Sequence, residues 1–214
     1  MTATLRYSSL ETALIRRLRS PDAVEDWLRS LPYNKEAKGE TLRSFRGVVR
    51  DGTAHCLEGA LSAAAILEAH GYSPLLLDIE SADNLDHVVF LYRTRTGWGT
   101  VATSRFPGLK GRKPVYASPR ALAYSYADPF FDFTGRVNGY GILDLRTLPG
   151  SVDWRFSPKN VWAVQTTLIG MAHTRLRISR ARERRWRLAY RAFKKLTPAL
   201  EPPASFYADH LRWR

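Results

Sequence analysis

Leu57, Ala60, Leu61, Ala64 and Leu67 recur at helical spacing along CLEGALSAAAILEAH, and this pattern predicts a helix from Cys56 to His70 that Gly71 closes. Many of its positions are small: Gly59, Ala60, Ala63, Ala64 and Ala65 let the backbone approach neighbours on more than one side, so this is read as the central helix. Three runs after it carry the β-branched and apolar pattern of strands: Ser73–Ile79, His87–Arg93 and Trp98–Thr103. The last two are joined by Thr94-Arg95-Thr96-Gly97, which predicts an antiparallel hairpin.

Ahead of the central helix, Ser8 and Glu11 have capping-box spacing before Leu10, Leu14, Ile15 and Leu18, and Ser20-Pro21-Asp22 opens a second start before Val24, Trp27 and Leu28. Residues 31–52 are polar, have no single period and end in Asp51-Gly52, as expected of a long connector. Beyond the hairpin, a Gly/Pro-rich loop spans Phe106 to Pro114, Ser118-Pro119 opens a helix through about Ala127, and Ser157-Pro158 opens a long helical region. Residues 128–156 fit no single pattern. From Arg175 to Lys195, Trp186, Ala189, Tyr190 and Phe193 fall on one helical face among arginines, which predicts a basic amphipathic helix.

The fold class read from these elements is α+β, with a central helix on an antiparallel sheet and flanking N- and C-terminal helices. Residues 1–169 are read as the main domain and 170–214 as a basic helical extension that carries most of the net charge of +13. That excess suits a polyanion or an acidic protein as partner, or a solvated face around an aromatic stripe packed on the core. No apolar run approaches the length of a membrane span and none resembles a signal peptide, so a cytoplasmic protein is expected. The single cysteine, Cys56, excludes an internal disulfide and is either a small buried hydrophobe or a reactive thiol.

Position leaves both readings open. Cys56 falls in the first turn of a helix, where unpaired N–H groups and the macrodipole stabilise a thiolate and can also donate to an oxyanion. His87 heads a strand after an acidic turn, where an imidazole is accessible as a base. Asp86 adjoins it in sequence but points to the other face, whereas the hairpin register sets Ser104, or with a one-residue shift Thr103, opposite His87 to hold its ring. Tyr33 and Asn34 in the connector are candidate substrate-binding residues. His55 and Asp86 beside this pair lack zinc-ligand spacing, so neither a metal nor a cofactor is expected.

A cysteine opening a small-residue helix, a strand entered through Gly-Tyr-Ser-Pro-Leu-Leu-Leu, the His87-Val88-Val89-Phe90 strand and the tryptophan of Gly97-Trp98 together resemble the transglutaminase-like, papain-related superfamily over roughly residues 50–106. The resemblance implies a papain-like core and acyl transfer, or amide or isopeptide hydrolysis, through a thioester on Cys56. The substrate would be protein or peptide-like, with Trp98 beside the site. Where the family carries an aspartate after the strand tryptophan, residues 99–105 contain none. The alternative is a binding module on the same scaffold that uses its basic helix to hold polyanions or a partner protein.

Overall fold

A computed structural model of the chain describes residues 7–131 and 135–214. The N-terminal starts form α1 (Ser9–Arg17) and α2 (Pro21–Ser30). At α1 the capping box closes in both directions, with Ser8 N–H donating to Glu11 at 2.7 Å and Glu11 N–H donating to Ser8 Oγ at 3.2 Å. The connector is not wholly irregular: α3 (Phe45–Asp51) begins at the Ser44 cap, and Gly52 ends it in the left-handed region at φ 66°. The central helix is α4 (Cys56–Glu68), and every residue from Leu57 to Leu67 is buried. Near its start the absence of a side chain at Gly59 is required, because a Cβ there would lie 2.5 Å from Cγ2 of Thr103. Gly71, at φ 85°, turns the chain away beyond its end.

Six antiparallel strands form one sheet in the order β4-β3-β2-β1-β5-β6, comprising β1 (Leu75–Ser81), β2 (His87–Arg93), β3 (Trp98–Val101), β4 (Arg112–Tyr116), β5 (Val137–Asp144) and β6 (Thr174–Arg175). One face packs Leu76, Val88, Phe90 and Val101 against α4. The other packs Leu77, Ile79, Val89 and Leu91 against α5 (Pro119–Tyr124) and α6 (Ala127–Phe130). Helices on both faces leave β2 buried from His87 to Tyr92, which explains its continuous apolar run.

Beyond α3, the structure departs from the expected elements in four further places. β4 occupies the end of the Gly/Pro-rich loop. β5, in the stretch without a clear pattern, alternates buried and exposed positions even though Gly139 and Gly141 dilute its strand composition. The Ser118 helix ends at Tyr124 and α6 follows it separately. Ser157 makes a local turn with Lys159 instead of a cap, and the helix there, α7 (Trp162–Gly170), starts five residues later. The basic helix, α8 (Arg180–Leu196), follows β6 and buries only Trp186. Trp186 packs on Phe206 and Tyr207, and Arg182 grips Asp128 through two hydrogen bonds of 2.7 and 2.8 Å. The division expected at residue 170 thus falls just before a strand of the common sheet.

Candidate active site

Cys56 is the first residue of α4, and two imidazoles, those of His55 and His87, hydrogen-bond its side chain. Burial pushes the thiol pKa up, but the hydrogen bonds and charge of these two rings outweigh it and bring the group down to about 5. His55 responds in the opposite sense. Burial disfavours its charge, yet the bond to Cys56 and the negative charges of Cys56 and Glu58 raise it to about 9. Its Nε2 lies 2.9 Å from the Thr41 carbonyl; a carbonyl can only accept, so Nε2 bears the proton and Nδ1 is left for the sulfur. At neutral pH His55 is therefore a standing imidazolium beside a thiolate.

His87 is buried at the head of β2, with its ring edge-on to Tyr126 at 5.7 Å. Nε2 donates to the Leu109 carbonyl at 2.7 Å, which by the same reasoning turns Nδ1 toward Cys56. The partner that orients this ring is thus a backbone carbonyl, and the expected hydroxyl is engaged elsewhere. The register runs as expected, Phe90 opposite Val101 and Arg93 opposite Trp98, so its extension would bring Ser104 opposite His87. β3 ends at Val101, however, and Ser104 Oγ accepts from Phe106 N–H at 3.1 Å, while Thr103 packs on α4 at Gly59. Asp86 accepts from Ser81 N–H at 2.7 Å and shapes the turn before β2.

The strand ends there because Glu25 of α2 captures the chain. Its carboxylate accepts from Ala102 N–H at 2.8 Å and from Gly111 N–H at 3.1 Å, closing residues 102–111 into a loop that presents Leu109. Arg112 supports the loop from within, donating to the carbonyls of Gly108 and Lys110 at 2.7 Å each while its guanidinium lies between the rings of Tyr126 and Trp213.

Beneath Cys56, Glu58 does more than cap α4. It is fully buried, accepts from His55 N–H at 3.1 Å and forms a two-pronged pair with Arg43, at 2.8 Å on each arm. Burial raises its carboxyl, but Arg43 and His55 overcome that and hold it at about 2. Asn34 belongs to this network: its amide donates to Thr41 at 2.7 Å and to Glu58 at 3.1 Å, so it braces the connector. The Tyr33 hydroxyl accepts from the backbone N–H of Cys56, where an oxyanion would otherwise bind. Trp98 stands apart, since it pairs with Arg93 at the far end of the hairpin and lines a different groove with His70 and Tyr72.

Cys56 and His55 line a cavity of about 570 Å³ that reaches from the start of α4 to α7 and includes Asp78 and His173. Asp78 Oδ2 is 3.1 Å from His173 Nε2, and burial, with the nearby charges of Asp86 and Cys56, raises the Asp78 carboxyl to about 6 despite that contact. Sequence reasoning passed over this pair, although an aspartate inside the apolar run LLLDI is a signal of a buried polar group. It also weighed His55 only as a metal ligand; among the described residues no group of three or more His, Cys, Asp or Glu side chains is arranged to hold a metal ion. Compared with known proteins, the chain matches no family model and no curated protein.

Proposed function

We propose that this protein is a cysteine-dependent acyl-transfer or amide-hydrolysing enzyme, acting on a protein or peptide-like substrate through a thioester on Cys56. The observation that carries this reading is the thiol at the start of α4 hydrogen-bonded by His87, whose far nitrogen is fixed by Leu109. The Cys56 thiolate attacks the carbonyl carbon and forms a C–S bond, placing negative charge on oxygen; the Tyr33 hydroxyl, which accepts from the Cys56 N–H, is the nearby donor to that oxygen. His87, which has taken the thiol proton on Nδ1, gives it to the leaving nitrogen as the C–N bond breaks. It then takes one from the water or amine that releases the acyl group, so the cycle returns enzyme and proton to their starting state. The α+β fold with a buried central helix is compatible with the transglutaminase-like, papain-related core suggested by residues 50–106. The carbonyl in place of an acid would orient the imidazole but stabilise its charge less than a carboxylate does.

Alkylation of Cys56 by iodoacetamide as a function of pH tests the reading. The rate should rise through an inflection near 5. His87→Ala and His55→Ala should each move that inflection upward, with the double variant reaching or passing the ordinary thiol value of about 8.5. A wild-type profile already at that ordinary value, unchanged by His87→Ala, would overturn it. The basic-helix alternative has its own support in the exposed arginines of α8, among them Arg180, Arg184 and Arg191. Salt-dependent polyanion binding by a protein whose thiol is slow would favour it.

A further inference from the structure

Five carboxylates, those of Glu36, Glu40, Asp78, Glu80 and Asp86, line the cavity beside Cys56, and among the described residues no lysine or arginine does. Among the described residues none of the five forms an ion pair with a lysine or arginine; the contacts to Glu36 and Asp78 come from His55 and His173. In a chain of net charge +13 this is a local reversal of sign. Asp78 adds an independent observation. It is 2% exposed, it lines the cavity, and its Oδ1 is buried with no hydrogen-bond partner. Buried carboxylate oxygens are seldom left unsatisfied; Oδ1 has almost no surface open to the cavity, so a donor there reaches it after a rotation of the carboxylate. From α7, Trp162, Leu168 and Ile169 join the lining together with Gln165, so the cavity also offers apolar surface along which a hydrocarbon stem can lie.

We infer that this cavity seats a cationic group, an ammonium or guanidinium on an aliphatic stem, belonging to the substrate whose acyl carbon Cys56 attacks. The inference rests on the cysteine reading above and specifies its substrate class: an acyl compound with a lysine- or arginine-like side chain. Asp78 Oδ1, once rotated, accepts from the cation, Glu80 and Asp86 surround it with negative charge, and α7 covers the stem. His173 contacts the second oxygen of Asp78.

Three methanethiosulfonate reagents of similar size, carrying an ethylammonium, a neutral hydroxyethyl or an ethylsulfonate group, provide the test. Each converts Cys56 to a mixed disulfide and releases methanesulfinate, so the rates compare charge at one thiol. The cation-to-anion rate ratio for the folded protein should exceed that of the urea-unfolded chain by about tenfold or more, the scale on which a charged cleft concentrates its ligand. Asp78→Asn should lower the ratio. Glu80→Gln, at a half-buried position, should lower it in the same direction and serves if Asp78→Asn does not fold. A ratio equal to that of the unfolded chain, or one that neither substitution moves, overturns the inference while leaving a reactive Cys56 intact. If Cys56 reacts with none of the reagents, the cysteine reading fails and calorimetric binding of benzamidine against neutral benzamide decides the rest. Benzamidine binding that Asp78→Asn or Glu80→Gln weakens sustains the cation site, and equal or absent binding of the two removes it.

Discussion

The floor beneath Cys56 and the loop that presents Leu109 to His87 are each pinned by a buried carboxylate, and the two behave oppositely. Glu58 faces the full charge of Arg43 and titrates at about 2. Glu25 is as deeply buried, but its hydrogen bonds come from two backbone N–H groups, and burial lifts it to about 7. Dipoles offset less of the desolvation of a carboxylate than a guanidinium does. The same device, a carboxylate reaching from a helix to a loop, is therefore permanently charged under the thiol and close to titration under the imidazole.

Breaking the floor should have the larger effect. Arg43→Met leaves Glu58 charged without its buried partner and should cost about 3–5 kcal/mol in urea unfolding. If that cost stayed under about 1 kcal/mol, the pair would not be the anchor of the connector. Glu25→Gln keeps one acceptor and sets an amide N–H against a backbone N–H, with an expected cost of about 1–3 kcal/mol. It should also loosen residues 102–111, seen as faster amide exchange at Gly111.

The pH dependence of stability sharpens the contrast. Glu58 is depressed from 4.5 to about 2, so its contribution is present above about 4.5 and is lost as the pH falls toward 2. Glu25 is raised from 4.5 to about 7, so its contribution is full below about 4.5 and is lost as the pH rises through 7. Each shift corresponds to roughly 3 kcal/mol at most. Urea midpoints measured from pH 3 to 8 should lose the acid-side slope in Glu58→Gln and the slope between about 4.5 and 7 in Glu25→Gln. An unchanged slope in either variant would remove that carboxylate from the account. The smallest effect belongs to Ser104→Ala: because Ser104 bonds Phe106 N–H and leaves His87 to Leu109, Cys56 alkylation should change little, by less than about twofold, while any cost falls on stability.

The sequence by itself determined much of what is local. Capping residues at Ser8 and Ser20, the small-sided period of α4, the hairpin turn before Trp98 and the strand headed by His87 are short-range patterns, and short-range sterics and burial enforce them. From these alone Cys56 stands at a helix start and His87 at a strand head. The tertiary structure decided the rest. β5 and β4 escaped notice because glycine and proline weaken strand composition where neighbouring strands supply the pairing. Leu109 acts through its carbonyl, a group every residue has, so no residue type could mark it as the partner of His87. Extrapolating the hairpin to Ser104 assumed that β3 continued, but Glu25, far away in sequence, ends it. Asp78 and His173 are separated by 95 residues and meet only because β1 and the segment before β6 converge on one cavity. Charge at the site follows the same rule: the chain is strongly basic, yet folding gathers carboxylates beside Cys56 and leaves arginines of α8 in solvent, because burial and pairing, not composition, set the local field.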